Sequence, residues 1–128
     1  MAMITTNGLN HLALPVKDPE RSAQFYADLF NMEITSSSPE MAFLKTVGST
    51  DMIALNQSKV EVVSGRESMH FGFMVDPEQF DTALRTIEEK SVKKVSEPSK
   101  RGIGRYIFIE DPDGYTVEIF ECLSPPYA

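Results

Sequence analysis

The chain contains two histidines, His11 and His70, and each stands at the start of an alternating apolar run. The runs read HLALPV from residue 11 and HFGFMV from residue 70. Glu118 lies in a similar run, TVEIF, where a buried carboxylate is costly unless it is paired or bound to a metal. Two neutral imidazoles and one carboxylate can hold a divalent metal and leave other coordination positions open. If the three side chains converge, we expect an open-sided metal site; the alternative for each histidine is a hydrogen-bonded structural residue.

The two histidine runs belong to an internal repeat. His11 and His70 are offset by 59 residues (70 − 11), and each run reaches Asp-Pro-Glu, at 18–20 and at 76–78. In each copy the aspartate can cap a helix and the proline suits the first helical turn. The pattern therefore predicts two equivalent strand–helix units. Their apolar helix positions are Ala23, Tyr26, Ala27 and Phe30 in the first copy and Phe80, Ala83, Leu84 and Ile87 in the second.

Each predicted helix is followed by short apolar segments separated by turn residues. The unit is therefore β-α-β-β-β, twice, which predicts an α+β fold. We expect a single domain of residues 1–128, with module one at about 8–58 and module two at about 67–123. The predicted strands after the helices are 32–35, 41–47 and 52–56 in the first half and 92–96, 104–110 and 115–121 in the second, with a further candidate at 60–63.

Side chains alternate along a strand, so the predicted strands can be sorted into two faces. Small residues beside polar ones suit a sheet that lines a cavity, and we expect the histidine face to do so while the other face packs under the helices. The residues that share a face with the candidate ligands are Ala13 and Pro15 with His11, Gly72 and Met74 with His70, and Thr116 and Phe120 with Glu118.

Composition and charge exclude several classes of function. The formal net charge of −7 argues against a nucleic-acid or anionic-membrane partner, because like charges repel at long range. No apolar run approaches the roughly 18 residues that a membrane span needs. The start of the chain lacks the basic and apolar regions of a signal peptide. The single cysteine, Cys122, permits no internal disulfide, so we expect a cytoplasmic protein in which this thiol is structural.

A basic segment at 96–106, SEPSKRGIGRY, stands out in this acidic chain. One interpretation is a solvated turn. The other is a mobile flap that binds an anionic substrate, such as a carboxylate or phosphonate, beside the metal. Tyr106 is the candidate proton donor of this segment, and Phe108 would alternate onto the same face. The candidate substrate-binding cations are Lys100, Arg101 and Arg105.

The sequence resembles the vicinal oxygen chelate superfamily, also called the glyoxalase/bleomycin resistance/dioxygenase proteins. The resemblance rests on NHLALPVKDPERSAQFYADLFNME at 10–33, MHFGFMVD at 69–76 and IEDPDGYTVEIFE at 109–121. It implies paired β-α-β-β-β modules that form a cupped mixed sheet around one metal, with the helices on the outside. It also implies a homodimer with metal sites shared between chains. The ligand places that it implies are His11, His70 and Glu118.

The chain departs from each well-known member of that superfamily. The repeat aligns Ala54 with Glu118, so the carboxylate that completes a glyoxalase I site is missing, and Asn56 lies about 6–7 Å along the strand as a weak substitute. No histidine is left for the acid–base chemistry of extradiol cleavage. Fosfomycin transferases carry a threonine, a tyrosine and an arginine at places that correspond here to Ala13, Phe108 and Tyr127.

We therefore expect a small divalent-metal-dependent enzyme that acts on a small, anionic, oxygen-chelating metabolite. The metal would be iron(II), manganese, nickel or zinc, and the chemistry could be that of an isomerase, lyase, transferase or oxygenase. The alternative is a metal-free protein of the bleomycin-resistance type that sequesters a drug or metabolite. A third possibility is a regulatory or scaffold dimer with a vestigial site. The three retained ligand residues favour the enzyme.

Overall fold

The first half of the chain forms one β-α-β-β-β unit. A computed structural model describes residues 3–59, 70–102 and 104–123, and the chain divides into two compact units, residues 1–62 and 63–128. In the first unit Asp18 caps the helix by accepting a hydrogen bond from the backbone N–H of Arg21 at 3.1 Å, and Asn31 ends it in the left-handed region. The elements are β1 (Leu12–Val16), α1 (Pro19–Phe30), β2 (Glu33–Ser37), β3 (Met41–Lys45) and β4 (Ile53–Gln57).

The second half repeats this element order. Asp76 and Pro77 begin its helix as Asp18 and Pro19 begin the first. The elements are β5 (Phe71–Val75), α2 (Pro77–Glu89), β6 (Ser99–Arg101), β7 (Gly104–Glu110) and β8 (Thr116–Glu121). The predicted α+β fold with two β-α-β-β-β modules is confirmed.

The two sheets have the same strand order and the same register. The orders are β1-β4-β3-β2 and β5-β8-β7-β6, each with one parallel pair and two antiparallel pairs. In the parallel pairs, Ala13 lies opposite Ala54 and Gly72 lies opposite Glu118. The structural repeat therefore places Ala54 in the position that Glu118 has in the second sheet.

Each helix covers one face of its own sheet. Helix α1 contacts β2, β3 and β4, and α2 contacts β8. Of the predicted stripe positions, Ala23 and Tyr26 are buried on α1, and Phe80 and Ile87 are buried on α2. Neither helix in the described parts of the chain is long and apolar enough to cross a membrane.

The second module differs from the prediction along its edge strand. Residues 92–96 form an isolated bridge, Lys94 to Ile109, in place of the predicted strand. The chain then passes Pro98 and pairs again as β6 within the segment predicted to be a loop. Proline has no N–H to give to a ladder, so the edge is divided there. The strand candidate at 60–63 lies outside the described residues.

Candidate metal and anion site

One face of the second sheet brings together most of the predicted site residues of that half. Glu118 lies opposite Gly72 in β5 and opposite Phe108 in β7. Phe120 lies opposite Tyr106, and Arg101 lies opposite Gly104. Directly paired residues point to the same side of a sheet. This shared side, which faces away from α2, is the site face.

His70 and Glu118 lie together on the site face. The Nε2 atom of His70 is 3.3 Å from Oε1 of Glu118. Glu118 is 7% exposed. The ring of His70 meets the ring of Phe108 edge-on, with centroids 5.0 Å apart. Phe108 therefore holds the imidazole against the carboxylate, which is a role that apolar contact can fill without a polar partner.

The two groups fit as ligands of one metal ion. A metal–ligand distance of about 2.1 Å and ligand angles between tetrahedral and octahedral values separate two donor atoms by about 3.0–3.4 Å. The His70–Glu118 separation of 3.3 Å falls in this interval. No group of three or more histidine, cysteine, aspartate or glutamate side chains suited to a metal occurs among residues 3–59, 70–102 and 104–123. The second half by itself therefore offers two donors.

Arg101 is the second partner of the Glu118 carboxylate. Its Nη2 donates to Oε2 of Glu118, on the oxygen that does not face His70. The guanidinium also lies over two rings, at 4.6 Å from the centroid of Tyr106 and 5.1 Å from that of Phe120. Its side chain is 52% exposed. Arg101 thus neutralises Glu118 while part of its guanidinium still meets solvent.

A pocket of about 240 Å³ opens on the site face. It combines a carboxylate, a guanidinium and aromatic surface, which suits a small ligand with a charged group. Its lining residues are Gly72, Phe73, Met74, Arg101, Glu118 and Phe120.

Gly72 keeps the two central strands close beside Glu118. A Cβ atom at this position would lie 2.9 Å from Cβ of Glu118 and 3.0 Å from its backbone oxygen. Real Cβ atoms do not approach so closely without a shift of the neighbour. A side chain here would therefore displace Glu118, which gives a physical reason for the small residue noted in the sequence.

The predicted site residues of the first half lie on the corresponding strands of the first sheet. His11 directly precedes β1 and is exposed, and its Nδ1 is 2.8 Å from Oδ1 of Asn10. Asn56 lies in β4 between Pro15 and Met41. Ala54, two residues earlier, is buried and brings no ligand atom.

Lys100 and Arg105 point to the opposite face from Arg101. They lie opposite each other between β6 and β7. Arg105 donates to Glu121 from Nε at 3.0 Å and from Nη2 at 2.6 Å, and to Asp81 of α2 from Nη1 at 2.9 Å. It also lies over the ring of Phe80, at 4.6 Å from the centroid. These contacts give Arg105 a structural role, which is to tie α2 to β7 and β8.

The Arg105–Glu121 pair should make the stability of the fold depend on acid pH. Hydrogen bonds from Arg105 lower the pKa of the nearly buried Glu121 below its ordinary value, against the opposing effect of burial. A carboxyl whose pKa is lowered by folding stabilises the fold above its unfolded pKa, and this contribution is lost as pH falls through the folded pKa. We expect Arg105→Met to unfold at lower urea than wild type at pH 7, and the gap to narrow below about pH 4.

The matched control for this pair is Arg85→Met. Arg85 also lies on the α2 side of the unit, but it donates to the Thr82 hydroxyl, which does not titrate. Its effect on the urea midpoint should be small and independent of pH. A gap between wild type and Arg105→Met that stays constant down to pH 3 would contradict the assignment of Arg105 to Glu121.

Sequence reasoning missed two features of this site. It did not pair Arg101 with Glu118, and it did not assign a role to Gly104. A Cβ atom on Gly104 would lie 1.8 Å from the backbone oxygen of Glu121. The signal for both was available in the alternation of 99–101 with 104–106, but that segment was interpreted as a loop and its faces were not assigned.

Comparisons with known proteins agree with this architecture. The sequence model of the Glyoxalase/Bleomycin resistance protein/Dioxygenase superfamily matches residues 8–119. The chain is 31% identical to metallothiol transferase FosB of Staphylococcus epidermidis over 114 residues, which is 87% of this chain and 79% of that protein. It is 30% identical to lactoylglutathione lyase of Salmonella typhimurium over 125 residues, covering 88% and 91% of the two chains. The solved structure of oxidase ChaP-H2 shares the fold with a TM-score of 0.78 at 23% identity, over 91% of this chain and 94% of that one.

Proposed function

The chain belongs to the glyoxalase/bleomycin resistance protein/dioxygenase superfamily, and from this premise we propose that it is a divalent-metal-dependent enzyme acting on a small, anionic metabolite that chelates through oxygen. The observation that carries the proposal is the His70–Glu118 pair, whose donor atoms lie 3.3 Å apart on the wall of the pocket. A nearly buried carboxylate beside an imidazole is costly to keep and chemically suited to a cation.

The proposed ligands are His70 and Glu118 of the second half together with His11 of the first. His11 would come from the same chain or from a second copy in a homodimer. Iron(II), manganese, nickel or zinc would each accept this set of nitrogen and oxygen donors. When bound, such a metal supplies Lewis acidity for negative charge that develops on a substrate oxygen, or an iron centre for oxygen chemistry.

The chain's own residues would bind and orient the substrate. Arg101 presents a guanidinium at the pocket and can bind a carboxylate or phosphonate through two parallel hydrogen bonds. The ring of Phe120 would exclude water from one side of that ion pair. Tyr106, whose ring lies under Arg101 at 4.6 Å, is the proposed proton donor, because its hydroxyl is the one titratable oxygen that this face carries besides Glu118 among residues 70–102 and 104–123.

The reaction type is constrained by the residues that differ from the relatives. Ala54 replaces the carboxylate of a four-ligand site, which disfavours lactoylglutathione lyase activity. Phe108 holds His70 through its ring and has no hydroxyl with which to bind an anion. A three-ligand site with Arg101 as the anion-binding group therefore favours addition to, or oxygenation of, an anionic substrate over isomerisation of a hemithioacetal.

A second candidate function is metal-free sequestration of a small molecule. The contact between Arg101 and Glu118 favours it, because that contact already neutralises the carboxylate without a metal. In such a binding protein the pocket of about 240 Å³ would recognise its ligand by shape and by the remaining donors of Arg101.

The two candidates differ in what ligand binding requires. We expect glycolate, an anion with vicinal oxygens, to raise the unfolding temperature of the manganese-loaded protein and to leave the metal-stripped protein unchanged. Acetate lacks the second oxygen and is the matched control ligand. Stabilisation by both anions without metal would support the binding protein and contradict the enzyme.

Turnover then distinguishes the reaction types. The metal-loaded protein is assayed for addition of a thiol to an epoxide phosphonate, for isomerisation of a hemithioacetal and, with iron(II), for oxygen uptake. We expect activity in the first or third assay. Hemithioacetal turnover as the main activity would contradict the preference drawn from Ala54.

A further inference from the structure

The two oxygens of the Glu118 carboxylate are engaged by different groups. Oε1 faces Nε2 of His70, and Oε2 accepts a hydrogen bond from Arg101. The inference drawn below rests on the proposed metal role of His70 and Glu118. In that role the carboxylate must serve a divalent cation, although a guanidinium already occupies one of its oxygens.

Arg101 is placed so that it can leave Glu118 without losing its other contacts. Its guanidinium lies over the rings of Tyr106 and Phe120, at 4.6 and 5.1 Å from their centroids. Aromatic faces attract the cation with little demand on its in-plane direction. The side chain is also half-exposed and lines the open pocket. A small rotation over the rings would point the guanidinium donors into the pocket.

A divalent cation and a guanidinium compete for one carboxylate. The metal brings the higher charge and a second ligand, His70, whereas Arg101 brings a half-exposed ion pair of modest strength. Two cations held against the same oxygen pair also repel each other. Metal binding at His70 and Glu118 should therefore weaken the contact between Arg101 and Glu118.

We propose that Arg101 and a divalent metal are alternative partners of Glu118, and that metal binding releases the Arg101 guanidinium to bind the anionic group of the substrate. The released guanidinium stays in the pocket because the two rings hold it there. Without metal, the same guanidinium is engaged by Glu118 and binds anions poorly. Arg101 thereby acts as a positioning residue that couples the two ligands.

This exchange has a reciprocal consequence. If metal raises the affinity for an anion, the anion must raise the affinity for metal by the same factor. The coupling depends on one side chain, so its removal should do two things at once. Metal affinity should rise because the competitor is gone, and the coupling through Arg101 should disappear.

The test uses the full chain with manganese(II) as the metal and methylphosphonate as the anion. Free manganese is measured by electron paramagnetic resonance, with a protein-free titration as the correction for manganese–phosphonate binding. Arg101→Met removes the charge and keeps an apolar stem for the rings. Lys100→Ala is the matched control, because it removes the same charge from the next position of β6 on the opposite face.

For Arg101→Met we expect manganese binding about tenfold tighter than for wild type, as for the loss of one competing charge-assisted contact. Lys100→Ala should stay within about twofold, because its charge is exposed and screened. Methylphosphonate should tighten manganese binding in wild type and in Lys100→Ala, and should not do so in Arg101→Met.

Three outcomes would overturn the exchange. The first is equal manganese affinity in wild type and Arg101→Met, and the second is an equal gain in Lys100→Ala, which would indicate general charge repulsion. The third is full coupling in Arg101→Met, which would indicate that the anion binds the metal alone. In each of these the proposed metal site survives. Absence of manganese binding in wild type and in both variants would overturn the metal site and the exchange together.

Discussion

Glu118→Gln should bind divalent metal at least about a hundredfold more weakly than wild type, because replacing even an outer-shell partner of a metal ligand costs 10- to 100-fold. The amide keeps the shape of the side chain and loses the negative charge that a divalent ion requires. Glu118 is 7% exposed, and its donor atom lies 3.3 Å from that of His70, so another carboxylate cannot take its place without a backbone shift. Isothermal titration with manganese(II) measures the loss directly.

The same substitution should have a small effect on folding. The partner of Glu118 in the ion pair, Arg101, is 52% exposed, so solvent screens the pair and its contribution to the free energy of unfolding should be about 1 kcal/mol or less. The matched control is Glu110→Gln. Glu110 lies in β7 of the same sheet and pairs with Lys93 at 2.8 Å. Its variant should bind manganese as wild type does, and an equal loss in both variants would point to general charge and contradict a specific site.

Gly104→Ala should be the most destabilising single-methyl change in the described part of the second module. The added Cβ would lie 1.8 Å from the backbone oxygen of Glu121 and 2.9 Å from its carbonyl carbon. A backbone group in the neighbouring strand cannot rotate away as a flexible side chain can. We expect a loss of about 3 kcal/mol in the free energy of unfolding, which corresponds to a fall of roughly 10 °C in the unfolding temperature.

The effect of Gly104→Ala should extend to the site. Gly104 lies opposite Arg101 in the β6–β7 pair, so any shift that relieves the clash moves the guanidinium away from Glu118. Gly102→Ala is the control, because a Cβ at that position meets nothing within 4 Å. Calorimetry should show near-wild-type unfolding for Gly102→Ala. Equal unfolding temperatures for the two variants would mean that β7 and β8 do not approach as closely as the structure shows.

The repeated architecture could be predicted from local chemistry. Asp-Pro-Glu after each histidine run combines a capping aspartate with a proline that suits the first turn, and both helices begin there. Period-two alternation then gave the faces of β5 and β8, with Glu118 opposite Gly72. These features depend on residues close in sequence, so a single chain is enough to find them.

The edge of the second sheet could not be predicted in the same way. Lys93–Ser96 has the apolar alternation of a strand, but Pro98 divides the edge, and the ladder resumes at Ser99. The segment was interpreted as a loop, so Lys100, Arg101 and Arg105 were grouped by charge alone. The register separates them, with Arg101 on the site face and the other two on the helix face. Charge is visible in a sequence, whereas the face depends on a pairing between strands.

The relation between Ala54 and Glu118 lies between these cases. Aligning the repeats matched the two positions, and the equivalent registers Ala13–Ala54 and Gly72–Glu118 confirm it. The sequence therefore identified the missing carboxylate of the first module. The role of His11 as a third ligand stays a prediction, since it depends on how the two halves, or two chains, assemble.

The central claim is that His11, His70 and Glu118 hold one divalent metal. The most direct measurement is the metal content of the tag-free chain, by inductively coupled plasma mass spectrometry, after reconstitution with iron(II), manganese, nickel or zinc and removal of free ions. We predict about one ion per chain for wild type with at least one of these metals, and a strong reduction for both His11→Ala and His70→Ala. Near-zero metal in the wild type with all four ions would contradict the account.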